Sequence, residues 1–427
     1  MVIVDTQLLE LERKGTPVRV GLVGAGVMGR MIALQLLTPL TGIRLVAIAN
    51  RTIDKASQAY TENGAAEVQT VCSVAQLTEA IRQRRAAITD DPVLLCASNE
   101  IDVIVESTGT IEFAAHTVMN AIEQKKHIVL VNAELDSTLG PILKHYADKA
   151  GVIITNVDGD EPGVAMNLVR YLRSLGFETV GAGNLKGMID RYRTPATQRA
   201  FADQYGQNAA IITSFADGTK LAMEETILAN AAGFRVGTRG MYGPKCTHVK
   251  EIASLLPAEQ LLNGGLVDYA LGAEPFSGAF VIVHETHPVK QKHLAYLKMG
   301  SGPFYVFYTP YHLPHIQLPS SIARAALFGD ATTAPIGDPK TEVITITKKD
   351  LVEGEFLDGV GGFCTYGTIE NSPVARRENL LPMGLSEGCQ VKHKIAKNTP
   401  LTFDDVLLPQ NRLCDRLWNE QRAIFSF

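Results

Sequence analysis

Apolar residues in the first third of the chain fall into short runs, separated by stretches in which they recur every three or four positions. The runs Val18–Val23, Arg44–Ala49, Val103–Glu106, His127–Val131 and Val152–Thr155 read as strands. Arg30–Leu37, Val74–Arg84, Phe113–Gln124 and Thr138–Lys149 carry helical spacing between them, and Gln7–Lys14 leads in as a helix. Apolar strands alternating with helices predict an α/β fold with a Rossmann, doubly wound parallel sheet. Beyond Asn156 the pattern becomes mixed. Helices are predicted at Asn167–Leu175 and Lys220–Ala232, and strands at Val180–Lys186, Ala279–His284 and Tyr305–Tyr308. These make an α+β domain. A late helix, Ser320–Leu327, is expected to pack back on the first domain. From about Thr341 the chain has the alternating strand Glu342–Thr347, then Gly354, Gly359, Gly361 and Gly362 among many turns, which predicts a small, mostly β domain. The expected domains are 1–157 with 310–330 packed on it, 158–309, and 341–427.

The first strand runs into Gly24-Ala25-Gly26-Val27-Met28-Gly29, a G-x-G-x-x-G that opens the helix Arg30–Leu37. The first glycine allows the tight turn, the second lets backbone approach a pyrophosphate, and the third lets helix and strand pack closely. The N–H groups of the helix N-terminus, at Val27 and Met28, suit the negative charge of a dinucleotide. The second strand ends at Asn50-Arg51-Thr52, where an NAD site usually carries Asp or Glu for the ribose hydroxyls. Arg51 offers a guanidinium to a 2′-phosphate, with Asn50 and Thr52 as neutral donors, so NADPH is preferred; otherwise Arg51 is a solvated loop charge. The turn Ser107-Thr108-Gly109 follows the third of these strands and flanks the nicotinamide side.

Composition narrows the class. The chain has 427 residues, 46% of them hydrophobic and 20% charged, which fits a globular multidomain protein. A formal net charge of −5 gives no argument for nucleic acid or an anionic membrane surface. The segment Met1–Gly15 lacks a signal peptide's basic start, and no apolar run has the length of a membrane span, so a cytoplasmic protein is expected. Six cysteines without a CxxC pair look like buried thiols in a reducing compartment.

Candidate chemistry concentrates after Asn156. Asp158, Asp160 and Glu161 follow a predicted strand, and clustered carboxylates there are either bridged by Mg2+ or Mn2+ or form a solvated turn that caps the helix near Val164. Lys220 and Glu224 share a helical face, and with the Ser214–Thr219 segment before them they read either as a phosphate seat or as an ordinary surface i,i+4 pair. Lys186 ends a predicted strand, where it either polarises a carbonyl or donates a proton, or is a plain loop lysine. Arg191 and Arg193 follow it as anion ligands. Glu134, or Asp136, after the strand His127–Val131 either touches substrate or metal, or Asp136 caps a helix at Thr138. His284 and His287 do not make a metal pair on a strand end, and His312 and His315 read as structural.

The first domain resembles that of homoserine dehydrogenases and deoxyxylulose-phosphate reductoisomerases. Both families have Ala-Asn-Lys where this chain has Val131-Asn132-Ala133-Glu134, so the family lysine is missing. Asn156-Val157-Asp158-Gly159-Asp160-Glu161 is similar to the reductoisomerase Pro-Val-Asp-Ser-Glu, whose acids bind metal. Thr219-Lys220-Leu221-Ala222-Met223-Glu224 looks like their Asn-Lys-Gly-Leu-Glu, with one extra residue between Lys and Glu. The segment His393–Val406, with Leu401-Thr402-Phe403-Asp404-Asp405-Val406, resembles a SAF (β-clip) module. A dehydrogenase with a SAF tail is the layout of the deoxyxylulose-phosphate reductoisomerase-like family.

That resemblance implies an NADPH-dependent, metal-assisted reductoisomerase that converts 1-deoxy-D-xylulose 5-phosphate to 2-C-methyl-D-erythritol 4-phosphate for isoprenoid synthesis. It implies metal on Asp158, Asp160 and Glu224, and phosphate on Ser214, Thr219 and Lys220. Lys186, Lys220, Glu134 and Glu161 would carry the catalysis, and the protein would be a homodimer. Two other readings stay open: a homoserine-dehydrogenase-like oxidoreductase of a hydroxy acid or amino acid, and a non-catalytic NADP(H) sensor.

Overall fold

The computed structural model describes residues 3–65 and 67–425. Met1, Val2, Ala66, Ser426 and Phe427, which the expected domain ranges include, lie outside the described residues. The chain forms two compact units. One runs up to Asp160 and takes in Leu313–Ala334; the other comprises Glu161–His312 and the chain from Pro335 onward.

In the N-terminal unit the strands are β1 (Val18–Val23), β2 (Ile43–Ala49), β3 (Val68–Thr70), β4 (Ala86–Thr89), β5 (Val103–Glu106), β6 (His127–Leu130) and β7 (Ile154–Asn156). They form one sheet in the order β3-β4-β2-β1-β5-β6-β7, with every pairing parallel. This is the doubly wound α/β architecture, and its strand order reverses at β1, which places the ligand crevice outside the carboxyl ends of β1 and β5. The short strands β3 and β4 were not expected, because Val68–Thr70 is half exposed and β4 follows the polar stretch Gln83–Arg85.

The core of this unit joins Val20, Leu22, Ile32, Ile48, Val103, Val105 and Val129 to Leu318, Ile322 and Ala323 of the late helix. That helix spans Pro314–Phe328, longer than its apolar centre indicates. The helix after β6 spans Ala133–Ala150, and Asn132 caps it by accepting from the Leu135 N–H at 3.0 Å. Asp136 is therefore a buried residue inside the helix, not the cap of one starting at Thr138.

In the C-terminal unit, β8 (Glu178–Lys186), β9 (Leu266–Leu271), β10 (Ala279–His284) and β11 (Phe304–Thr309) form a sheet ordered β11-β10-β8-β9. β8 runs parallel to β9 and antiparallel to β10. One face packs on Val249, Ile252, Leu256 and Leu261. The helices Glu161–Ser174 and Thr219–Ala232 also pack against this sheet, and the first of them begins inside the segment read as an acidic loop. Two further helices are Pro195–Gln204, in a stretch to which the sequence reading assigned no element, and Ala209–Ala216, which takes in the start of the segment read as a loop. Thr194 caps the first through a capping box, with Pro195 in its first turn.

The C-terminal stretch contains the hairpin β12 (Thr341–Thr347) and β13 (Thr365–Asn371), the short pair β14 (Gln390–Val391) and β15 (Val406–Leu407), and the amphipathic helix Leu413–Ile424. The sequence reading set this stretch apart as a third domain; the structure places it in the same compact unit as Glu161–His312. The physical reason is its bonding to the helix Thr219–Ala232. The Gly367 N–H donates to Thr219 Oγ1 at 2.8 Å, and Lys340 and Thr341 donate to Asn230 Oδ1 at 2.7 and 3.1 Å. Among the described residues no helix is long and apolar enough to cross a membrane. The cysteines are free; Cys72 is exposed and Cys246 half-buried, so not all are buried as expected.

Candidate functional site

A cavity of about 260 Å3 opens at the carboxyl ends of β1, β2 and β5, lined by Gly24, Gly26, Asn50, Arg51, Thr52, Lys55, Asp90, Ser107, Thr108, Thr110 and Phe113, among others. Gly24 sits at φ +104°, and a Cβ on Gly29 would lie 2.1 Å from the Gly24 carbonyl oxygen. Gly26 instead faces open space: nothing lies within 4 Å of where its Cβ would be. These are the conditions a pyrophosphate needs, with backbone bare toward the cavity and a helix N-terminus, at Val27 and Met28, behind it. The helix has no acidic residue in its first turn to oppose an anion.

Asn50 does not present its amide to the cavity as a free donor. Its Oδ1 accepts from the Ala25 N–H at 2.9 Å and its Nδ2 donates to the Thr52 carbonyl at 2.8 Å, so it braces the glycine loop. Arg51 and Lys55, both exposed, are the cations on the cavity wall. Sequence reasoning missed Lys55, which reaches the rim from the first turn of the helix after β2 and could have been found by extending the search one turn past Arg51. On the opposite wall Ser107 Oγ donates to the Val23 carbonyl at 3.1 Å. The next residues are anchored by Glu106, buried at the end of β5. Its carboxyl accepts from the Thr108 N–H at 2.9 Å, from the Thr108 hydroxyl, and from Asn132 Nδ2 at 2.8 Å. Glu134 is half-buried in the first turn of the helix Ala133–Ala150.

In the C-terminal unit Lys186 stands at the end of β8, and its ammonium donates to Glu161 Oε1 at 2.8 Å and Glu224 Oε2 at 3.1 Å. Glu161 comes from the first turn of the helix Glu161–Ser174 and Glu224 from the helix Thr219–Ala232, so three elements converge on one cation. Burial alone would lower the Lys186 pKa; the two carboxylates reverse that and hold it above its ordinary value. Asn184 Nδ2 donates to Glu224 Oε2 at 3.1 Å. His312 Nε2 lies 3.6 Å from Glu161 Oε2, and His312 Nδ1 is 3.1 Å from Ser277 Oγ. His312 is thus part of this cluster, not the structural loop residue expected. No sequence signal marks it, because its neighbours come from distant segments. Glu225, next to Glu224 on the same helix, is fully buried. Burial, reinforced by Asp268 and Glu224, raises its pKa well above the ordinary value.

Several other expected site residues are engaged differently. Asp158 is not an open metal ligand: Arg324 Nη1 lies 3.1 Å from its Oδ1, both side chains are buried, and its N–H donates to Ser321 Oγ at 2.7 Å. A guanidinium on that carboxylate competes with any divalent cation. Asp160 is buried at the last position of the N-terminal unit, peptide-bonded to Glu161. Ser214 is inside the helix Ala209–Ala216 and donates to the Ile211 carbonyl at 2.7 Å, while Thr219 Oγ1 is taken by Gly367. Both side chains are buried. Lys220 lies half-buried in the first turn of the helix Thr219–Ala232, one turn before Glu224. Arg191 lies over the Tyr366 ring at 5.7 Å and Arg193 pairs with Asp190 at 3.0 Å. His284 pairs with Glu178 at 3.1 Å, and His287 caps the helix Pro288–Tyr296.

Comparison with known proteins follows the same division. Residues 20–155 match the family model described as homoserine dehydrogenase, NAD binding domain, and residues 159–318 match the one described as oxidoreductase DRL, catalytic domain. The chain carries a homoserine-dehydrogenase-like NAD-binding domain and a DRL-type oxidoreductase catalytic domain. Among relatives, the homoserine dehydrogenase of Pseudomonas aeruginosa is 32% identical over 157 residues, covering 34% of this chain and 36% of that protein. That of Neisseria gonorrhoeae is 39% identical over 69 residues, 16% of each chain. The chain therefore spans about a third or less of the curated relatives it matches. Among solved structures, a putative myo-inositol dehydrogenase from Sinorhizobium meliloti is 12% identical, with 73% of this chain and 90% of that one covered at a TM-score of 0.40. The myo-inositol dehydrogenase of Lactobacillus casei, in complex with NAD(H) and myo-inositol, is 15% identical, with 70% and 75% covered at 0.38. The cavity at Gly24–Gly29 lies in the NAD-binding domain, and the Lys186 cluster belongs to the DRL domain.

Proposed function

We propose that the protein is an NADP(H)-dependent oxidoreductase that reduces the carbonyl of a small oxygenated substrate, with Lys186 supplying the proton. The observation that carries this reading is the Lys186 ammonium held between Glu161 and Glu224 at a strand end. Hydride arriving at a carbonyl carbon leaves negative charge on the oxygen. A fixed ammonium stabilises that charge and then protonates it. Because the two carboxylates keep Lys186 charged, it suits the role of donor and not of base. NADP(H) is favoured over NAD(H) by Arg51 and Lys55 on the cavity wall, where Asp90 is the one carboxylate.

The finer reading takes 1-deoxy-D-xylulose 5-phosphate as substrate. Its support is the DRL domain match and the similarity of the Asn156–Glu161 segment to the reductoisomerase loop. Lys220 is the phosphate ligand that stays compatible with the geometry. Glu161 and Glu224 form an all-oxygen donor set that would hold Mg2+ or Mn2+, whose contribution would be to polarise the ketone. Lys186 already binds both carboxylates, so metal and ammonium compete for them.

The test mixes purified protein with NADPH and that keto sugar, with Mn2+ or with EDTA. The runner-up, a homoserine-dehydrogenase-like activity, is assayed in parallel as NADP+ reduction that survives EDTA. Lys186→Met is expected to lower turnover by about 100-fold or more, while the Kd for NADPH stays within about twofold. Tight NADPH binding with no turnover on any carbonyl or hydroxyl substrate, and no effect of Lys186→Met, would leave the sensor reading in its place.

A further inference from the structure

The buried carboxyl of Glu106 is the group the functional reading leaves without a role. It closes a short chain of hydrogen bonds to the cofactor cavity. Glu106 accepts from the Thr108 hydroxyl, and Thr108 Oγ1 lies 3.0 Å from Thr110 Oγ1, where either oxygen could donate. Thr108 and Thr110 line the cavity, and Thr110 is exposed. The other carboxyl oxygen accepts from Asn132 Nδ2, which also donates to the Thr110 carbonyl at 2.7 Å. The backbone of the turn is thereby fixed from both sides, and what remains free to change is the direction of the hydroxyl chain.

We propose that Glu106 is a positioning residue whose protonation state sets the hydrogen-bond polarity that Thr110 presents to the bound nicotinamide cofactor. The proposal rests on reading the Gly24–Gly29 cavity as the cofactor site. An ionised carboxylate only accepts. Thr108 must then donate inward, and its oxygen is left as an acceptor that competes with the cofactor for the Thr110 hydrogen. A neutral carboxyl donates to Thr108 instead. Thr108 then donates to Thr110, and the Thr110 hydrogen turns outward. A dinucleotide phosphate or an amide carbonyl needs that outward donor, and the neutral acid also removes a buried negative charge from beside an anionic ligand. Both effects act in one direction, so the cofactor favours neutral Glu106.

The surroundings put this choice in the physiological range. The flanking strand residues Val23 and Leu130 are apolar. Burial pushes the Glu106 carboxyl up to about 7 against the donors from Thr108 and Asn132, and Glu134 on the helix Ala133–Ala150 adds to the rise. Arg51, Lys55 and Asp90 are the charged groups on the cavity wall itself.

The experiment measures the Kd of NADPH by its fluorescence between pH 6.5 and 8.5. Wild type is expected to bind several-fold more tightly at the acid end. Glu106→Gln, which cannot ionise, flattens that profile. Thr110→Val removes the outward hydroxyl at an exposed position, leaves Glu106 in place and flattens most of it too, so a misfolded Glu106→Gln does not protect the idea. The ionisation of the 2′-phosphate is common to every variant and cancels in the comparison. Parallel profiles in wild type and Thr110→Val, or tighter binding at alkaline pH, overturn the proposal. Failure of the wild type to bind NADPH or NADH at any pH overturns the cofactor reading as well.

Discussion

Asp136 and Asn156 show how a single buried carboxyl ties stability to pH. Asp136 lies inside the helix Ala133–Ala150, and Asn156 Nδ2 donates to its Oδ2 at 3.1 Å. Burial raises its pKa to about 7, with the Asn156 bond only partly offsetting that. The folded state therefore prefers the neutral acid. That preference contributes fully below the ordinary carboxyl pKa and is lost as pH rises through about 7. Asp136→Asn keeps an acceptor for Asn156 and cannot ionise. It is expected to be more stable than wild type at pH 8 by about 1–3 kcal/mol and to show no gain at pH 5. Thermal melts at the two pH values measure this, and an equal difference at both would sink the assignment. At this scale the sequence told less than it seemed to. Lys186 was readable as a strand-end cation, but Glu161 and Glu224 reach it, and His312 reaches Glu161, from separate segments, and no spacing rule connects them. Asp158 looked like part of the same cluster because acidic residues adjoin; its buried partner Arg324 lies far along the chain.

Among the elements, the turn from β1 into the helix Val27–Leu37 was legible because its constraints are local. The backbone conformations that demand glycine and the apolar strand before them lie within a dozen positions. The two glycines of that turn have different duties, and substitution separates them. At Gly29 a Cβ meets the Gly24 carbonyl at 2.1 Å, so Gly29→Ala has to displace backbone, at a cost of about 1–3 kcal/mol. At Gly26 a Cβ enters open space. Gly26→Ala is therefore expected to melt like wild type and to lose NADPH affinity at least tenfold, whereas Gly29→Ala loses both. Fluorescence titration alongside thermal denaturation distinguishes them, and unchanged NADPH affinity in Gly26→Ala would show that no pyrophosphate passes there. Elements stabilised from a distance were not legible in this way. β3 is a half-exposed edge with too few residues to show alternation. The helix Pro195–Gln204 buries only Ala202, and the helix Ala209–Ala216 is an apolar run of two turns, too short to show a helical period. Ser214, read as a loop hydroxyl, was misplaced for that reason.

For the molecule as a whole, the C-terminal stretch supports the element that carries Glu224. Asp217 precedes the helix Thr219–Ala232 and accepts from the Thr219 N–H at 2.8 Å. Its other oxygen pairs with Lys348 Nζ at 2.7 Å, both side chains being almost fully buried. Lys348 also donates to the Arg193 and Gly362 carbonyls at 2.8 Å each, so the ammonium has all its protons engaged. Burial raises the Asp217 pKa, and Lys348 opposes that rise. Removing the ammonium alone leaves a carboxylate with no counter-charge in a dry site, which costs about 3–5 kcal/mol. Lys348→Met should melt correspondingly lower, and Asp217→Asn added to it should recover part of the loss, because the stranded charge is gone. Deleting the chain from Pro335 onward removes Lys348 and the donors to Thr219 and Asn230 together, and uncovers the buried face of the same helix. The truncated protein is expected to lose its cooperative melt in the DRL domain while the NAD-binding domain still binds NADPH. If it instead melts at the temperature of the full chain, the C-terminal stretch is an independent module, and the helix bearing Glu224 is held by the sheet of β8 to β11 alone.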